Sequence, residues 1–157
     1  MATPKEAQQS QELARQAFRG QAWYGPAMLE IIEDLTASEA AERPVAAAHS
    51  IWELVKHVTT WVNVVARRLR CEHVEVTGEE DWPPITDTSQ AAWLRALDDL
   101  HEAHERMLVE MDRISETDVD KAVPGTGYTV RTMLTGIVNH NIYHAGQMAI
   151  LKRAIRP

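Results

Sequence analysis

The chain has 157 residues, 45% of them hydrophobic and 25% charged, which excludes a disordered polymer or a disulfide-stapled miniature and predicts a single domain over residues 1–157. A formal net charge of -7, from 16 Lys plus Arg against 23 Asp plus Glu, argues against nucleic acid and anionic membranes as partners and leaves a small molecule as the expected one. A lone cysteine, Cys71, a polar stretch from Met1 to Gly20 without the apolar run of a secretory signal, and no apolar run of the roughly 18 residues a membrane span needs together point to the cytoplasm.

Helical periodicity predicts a first helix over about Lys5 to Phe18. After the Trp23-Tyr24-Gly25-Pro26 break a second stripe follows at Met28, Ile31, Ile32 and Leu35, with Pro26 suited to its first turn. Ala37 to Pro44 reads as a loop with at most one helical turn. Ser50-Ile51-Trp52-Glu53 has the form of a capping box, and the apolar positions Ile51, Val55, Val58, Val62, Val65 and Leu69 then trace one face of a helix. The acidic stretch Glu72 to Asp81 reads as loop, closed by Trp82-Pro83-Pro84. A third long helix is predicted from about Ser89 to Ile114, with Trp93, Leu97, Leu100, Met107, Leu108 and Met111 on one arc. Ser115 to Tyr128 reads as a turn or short extended crossover. The last helix runs from about Val130 to Ala154 with Thr129 as its N-cap. Four long amphipathic segments predict an all-α four-helix bundle.

Chemistry concentrates on histidine. His140 and His144 are four residues apart on the last helix, share a face, and lie at the edge of the stripe formed by Met133, Ile137 and Leu151. Such a pair presents two nitrogens to one metal ion, although hydrogen-bonded or surface roles are common for it too. His57 leans inward on the second long helix, between Leu54 and Trp61. Three neutral imidazoles leave coordination positions open, the pattern of a catalytic rather than a sealed metal site, and zinc, nickel, iron and manganese all suit it.

By spacing, Gln147 falls three residues after His144 and Glu53 four before His57, so either can orient a ring or contact substrate, with Glu53 already claimed by the capping box. Tyr143, on a neighbouring arc, suits packing or an interface better than catalysis. His49 sits just before the helix and can approach the site from there, although a loop histidine with no function is the better reading. His101 and His104 fall in the arc of the third helix, as a fourth ligand or as buried, hydrogen-bonded side chains. His73 is expected in solvent. Trp52, Trp61 and Trp93 read as core or pocket wall. Gly136 and Gly146, each costing about 1 kcal/mol in an exposed helix, suggest close approach of a neighbouring helix.

Trp23-Tyr24-Gly25-Pro26, the run His49 to His57, the Asp81-Trp82 loop and above all the run Asn139 to Gln147 resemble the DinB/YfiT-like family of metal-binding four-helix bundles over most of the chain. The resemblance implies up-down-down-up topology, a frequent homodimer, and a divalent metal on His57, His140 and His144. It also implies an enzyme class that includes thiol-dependent S-transferases, so a metal-activated low-molecular-weight thiol, or a water, would attack a small electrophile. The competing expectation is a non-catalytic binding or stress-response protein whose metal stabilises the bundle.

Overall fold

The computed structural model describes residues 5–157; the first four, which the single-domain expectation included, lie outside the described residues. Seven helices occur among them: α1 (Lys5–Arg19), α2 (Met28–Ile32), α3 (Ala37–Ala41), α4 (Ile51–Leu69), α5 (Gly78–Asp81), α6 (Gln90–Asp112) and α7 (Val130–Ile155). The chain is all-helical, with one isolated bridge between Ala122 and Thr129 where the crossover was expected.

Three of the long helices, α4, α6 and α7, start where local chemistry dictates. The Ser50 hydroxyl accepts from the Glu53 N–H at 3.2 Å while the Glu53 carboxylate accepts from the Ser50 N–H at 2.7 Å, the reciprocal box that opens α4. Ser89 accepts from the Ala92 N–H, and Thr129 from the Thr132 N–H, at the starts of α6 and α7. Two expectations change. Ala27, not Pro26, precedes the first helical residue of α2, so the proline sits outside the first turn. The acidic stretch also holds a short helix, α5, because Thr77 and Glu80 form a second reciprocal cap.

One hydrophobic cluster collects side chains from α1, α2, α3, α4, α6 and α7, with Phe18, Met28, Ile32, Ile51, Trp93, Leu100, Met107, Leu134 and Met148 fully enclosed. The Trp93 indole lies edge-on to Trp52 and donates to the Leu35 carbonyl at 2.8 Å, so its buried N–H is satisfied. Contacts fix the helix directions: Trp52 with Trp93 and Asn63 with Arg106 make α4 and α6 parallel, and His57 with His140 and Arg68 with Tyr128 make α4 and α7 antiparallel. That antiparallel seam brings the histidines together. Among the described residues no helix is long and apolar enough to cross a membrane.

Candidate metal centre

His57 from the second turn of α4 meets His140 and His144 from the middle of α7, with their candidate ligand atoms all within 4.8 Å of one another. His57 and His144 are buried and His140 is half-buried. His57 Nε2 and His140 Nε2 stand 3.1 Å apart. Ligand distances of about 2.0–2.1 Å place two nitrogens on one ion about 3.0–3.4 Å from each other, so the spacing fits a shared cation.

The other nitrogen of each ring is already engaged. His57 Nδ1 donates to the Asp81 carbonyl at 2.9 Å and lies 3.1 Å from Asp81 Oδ1. His144 Nδ1 donates to Gln147 Oε1 at 2.6 Å, and His140 Nδ1 faces Asn141 Oδ1 at 3.4 Å. With the protons held on Nδ1, the Nε2 atom of each ring keeps its lone pair available, and the three rings offer ligand atoms within 4.8 Å of one another. Two such lone pairs at 3.1 Å repel unless something positive lies between them. Burial, and then the neighbouring His144, push the His140 pKa down to about 4, which disfavours a shared proton at neutral pH. Burial also lowers the His144 pKa, partly offset by its bond to Gln147. The donor set therefore fits a divalent metal.

Aromatic rings enclose His57. Trp82 stacks on it with centroids 4.0 Å apart, and His49 stacks on the far face of Trp82 at 3.6 Å, both pairs within 8° of parallel. Trp61 meets His57 edge-on and donates to Asp81 Oδ1 at 2.6 Å. Two openings flank the triad. A cleft of about 560 Å³ lies against His49, Leu54, Trp82, Tyr143, His144 and Gln147, and a cavity of about 290 Å³ lies against Trp61, Val65, Met133, Ile137 and His140. A third cavity, beside Trp52, Thr59 and Asp99, touches none of the three histidines.

The remaining candidates separate clearly. Gln147 bonds His144 and also donates to the Tyr143 hydroxyl at 3.3 Å, while Tyr143 is exposed. The Glu53 carboxylate is taken by Ser50 and Arg43, with His49 3.6 Å away, so Asp81 and not Glu53 holds His57. His104 faces α1, stacked on Phe18 at 3.9 Å with Nε2 on the Ala14 carbonyl, and His101 meets Arg19, so neither joins the triad. His73 is exposed beside Glu75, as expected. A Cβ on Gly136 or Gly146 would meet nothing within 4 Å, so close helix approach does not explain either glycine.

Spacing alone missed Asp81 and Trp82. They stand at the end of the four-residue helix α5, too short for a helical period to show, and the one available signal was their place among the segments that carry the family resemblance. A family model described as the DinB superfamily matches residues 25–148, a span that contains every group of the site. No curated protein and no solved structure matches the chain.

Proposed function

The chain belongs to the DinB superfamily, and from its three converging imidazoles we propose that it is a metal-dependent enzyme acting on a small electrophilic molecule. His57, His140 and His144 hold one divalent ion, with zinc, nickel, iron and manganese all compatible with three nitrogen donors. A divalent ion in that position supplies Lewis acidity, which brings the pKa of a low-molecular-weight thiol, or of a water, toward neutrality.

The protein's own residues orient and shelter. Asp81 and Gln147 keep the Nδ1 protons of His57 and His144 in place, which leaves Nε2 basic and correctly aimed. Trp82 and Trp61 screen His57 from water on two sides. The cleft of about 560 Å³ beside His144 is large enough for a thiol cosubstrate and opens directly onto the ligand cluster. Three ligands from only two helices leave the remaining coordination positions to incoming molecules, which favours catalysis over a purely stabilising ion. The core shared by six helices supports reading the chain as one domain, and its lone cysteine supports a cytoplasmic home.

The observation that carries this reading is that each Nδ1 already faces an acceptor, so three Nε2 lone pairs are left to converge. Elemental analysis of untagged protein tests it. We expect near-stoichiometric divalent metal, lost in a folded His144→Ala variant; metal content unchanged by that substitution would refute the ligand assignment. Turnover of electrophiles with bacillithiol, mycothiol or glutathione then tests catalysis, and a metal-free preparation retaining full turnover would refute the role given to the ion.

A further inference from the structure

Among the described residues Arg68 is a buried cation without a counter-ion. It sits in the last turn of α4 at 9% exposure, while its neighbours Arg67 and Arg70 are exposed and both pair with Glu72. The Arg68 guanidinium donates to the Tyr128 hydroxyl at 2.6 Å and to the Val74 carbonyl at 2.7 Å, both neutral acceptors. Its Nε is buried with no hydrogen-bond partner, and among the described residues no carboxylate lies within ion-pair distance of it. A guanidinium withdrawn from water in this way is unfavourable unless an anion joins it.

Arg68 and Tyr128 form one end of the cavity of about 290 Å³ whose other end is His140. Trp61, Val65, Met133 and Ile137 make the walls between them apolar, and the Arg68 guanidinium carbon lies 5.9 Å from the Trp61 ring centre. The Trp61 ring bridges the two ends, its centre 5.9 Å from the Arg68 guanidinium carbon and 6.2 Å from the His140 ring centre, so at most about 12 Å separates them. Gly136 lies midway. A Cβ there would project into open space, so the glycine keeps the cavity clear rather than easing contact with another helix. Tyr128, having accepted from Arg68, still has its own hydroxyl hydrogen to donate.

We propose that this cavity binds a small molecule with a carboxylate at one end of an apolar body. The carboxylate pairs with Arg68 and accepts from the Tyr128 hydroxyl; the body lies along Trp61, Val65, Met133 and Ile137, across Gly136; the far end reaches His140. The inference deepens the enzymatic reading, and only the last placement rests on the triad being a metal centre. Arg68 and Tyr128 would then select anionic electrophiles over neutral ones of the same shape.

The test is calorimetric titration of the full chain, as purified and metal-stripped, with 4-phenylbutyrate and its uncharged amide, alongside metal analysis of the same samples. Wild type is expected to favour the carboxylate by about tenfold or more, the worth of a charge-assisted hydrogen bond, with or without metal. Arg68→Met should bring the two probes to similar affinity. Gly136→Leu, which fills the cavity at a position free of steric contact, should weaken both probes and leave metal content intact, so it decides the matter even if Arg68→Met does not fold. Equal affinity of the two probes for wild type, no binding of either, or carboxylate binding unchanged by Gly136→Leu would overturn the proposal. Absence of metal with the carboxylate preference intact would overturn the metal reading alone.

Discussion

The Trp82 indole lies flat against the His57 imidazole, centroids 4.0 Å apart and planes 8° from parallel. The residue before it, Asp81, takes the Nδ1 proton of the same ring. The last residue of α5 and the residue after it thus fix both the plane of His57 and its rotation within that plane. The short helix α5, closed by Thr77 and Glu80, delivers them to α4.

Removing the Asp81 side chain should loosen His57 without unfolding the bundle. Asp81→Ala leaves the backbone carbonyl at 2.9 Å but deletes the oxygen shared with Trp61 Nε1. Metal affinity is expected to fall by about 10–100-fold, with Asp81→Asn falling less because it keeps an acceptor. Competition with a chelator of known affinity measures this; an unchanged constant for Asp81→Ala would show that the carboxylate plays no orienting part.

Gln147 and Tyr143 are coupled but not equivalent. Gln147→Leu removes the acceptor 2.6 Å from His144 Nδ1, and a loss of about tenfold or more in metal affinity is expected. Tyr143→Phe removes only a hydroxyl that accepts from Gln147 at 3.3 Å, and affinity should stay within about twofold. Comparable losses in both variants would make the tyrosine, rather than the amide, the group that sets the His144 ring.

His104 makes stability depend on pH. It is fully enclosed, its Nδ1 has no partner among the described residues, and burial pushes its pKa from 6.5 down to about 4. As pH falls below 6.5 the unfolded chain takes up the proton and the folded one does not, so stability is complete above that value and drains away down to about pH 4. The full loss is about 3 kcal/mol. Urea unfolding at pH 7, 5.5 and 4 should show a shallower decline for His104→Leu than for wild type; the triad is common to both proteins. Parallel declines would mean that His104 is charged or exposed in the folded state.

Ser50→Ala should cost about 1 kcal/mol, because the hydroxyl is buried and caps α4. His57 lies in the second turn, past the capped first one, so metal affinity should not follow stability down. Thermal unfolding of the metal-free protein and chelator competition separate the two quantities. A loss of affinity matching the loss of stability would place the start of α4 in control of the site.

Which features were legible in the sequence follows from range. The starts of α4, α6 and α7 were readable because a cap joins residues three apart, and the shared face of His140 and His144 because one helical turn relates them. α5 carried the same cap signal at Thr77 and Glu80, obscured by the acidity around it. Arg68 was not read from the sequence as a special residue: only the packing of Val74 and Tyr128 around it encloses its charge.

Backbone capping, helical period and net charge are properties of neighbouring residues, so the amino-acid order by itself determined the long helices, the histidine pair on α7 and the inward lean of His57. Which of several inward histidines would meet was decided by packing. His57 finds His140 across 83 positions and Asp81 across 24, whereas His104, equally inward, is turned onto Phe18 and Ala14 of α1. Those choices follow from how four helices divide their apolar faces among one another, and no local pattern encodes that division. The same division left Arg68 enclosed with neutral partners and Gly136 facing open space.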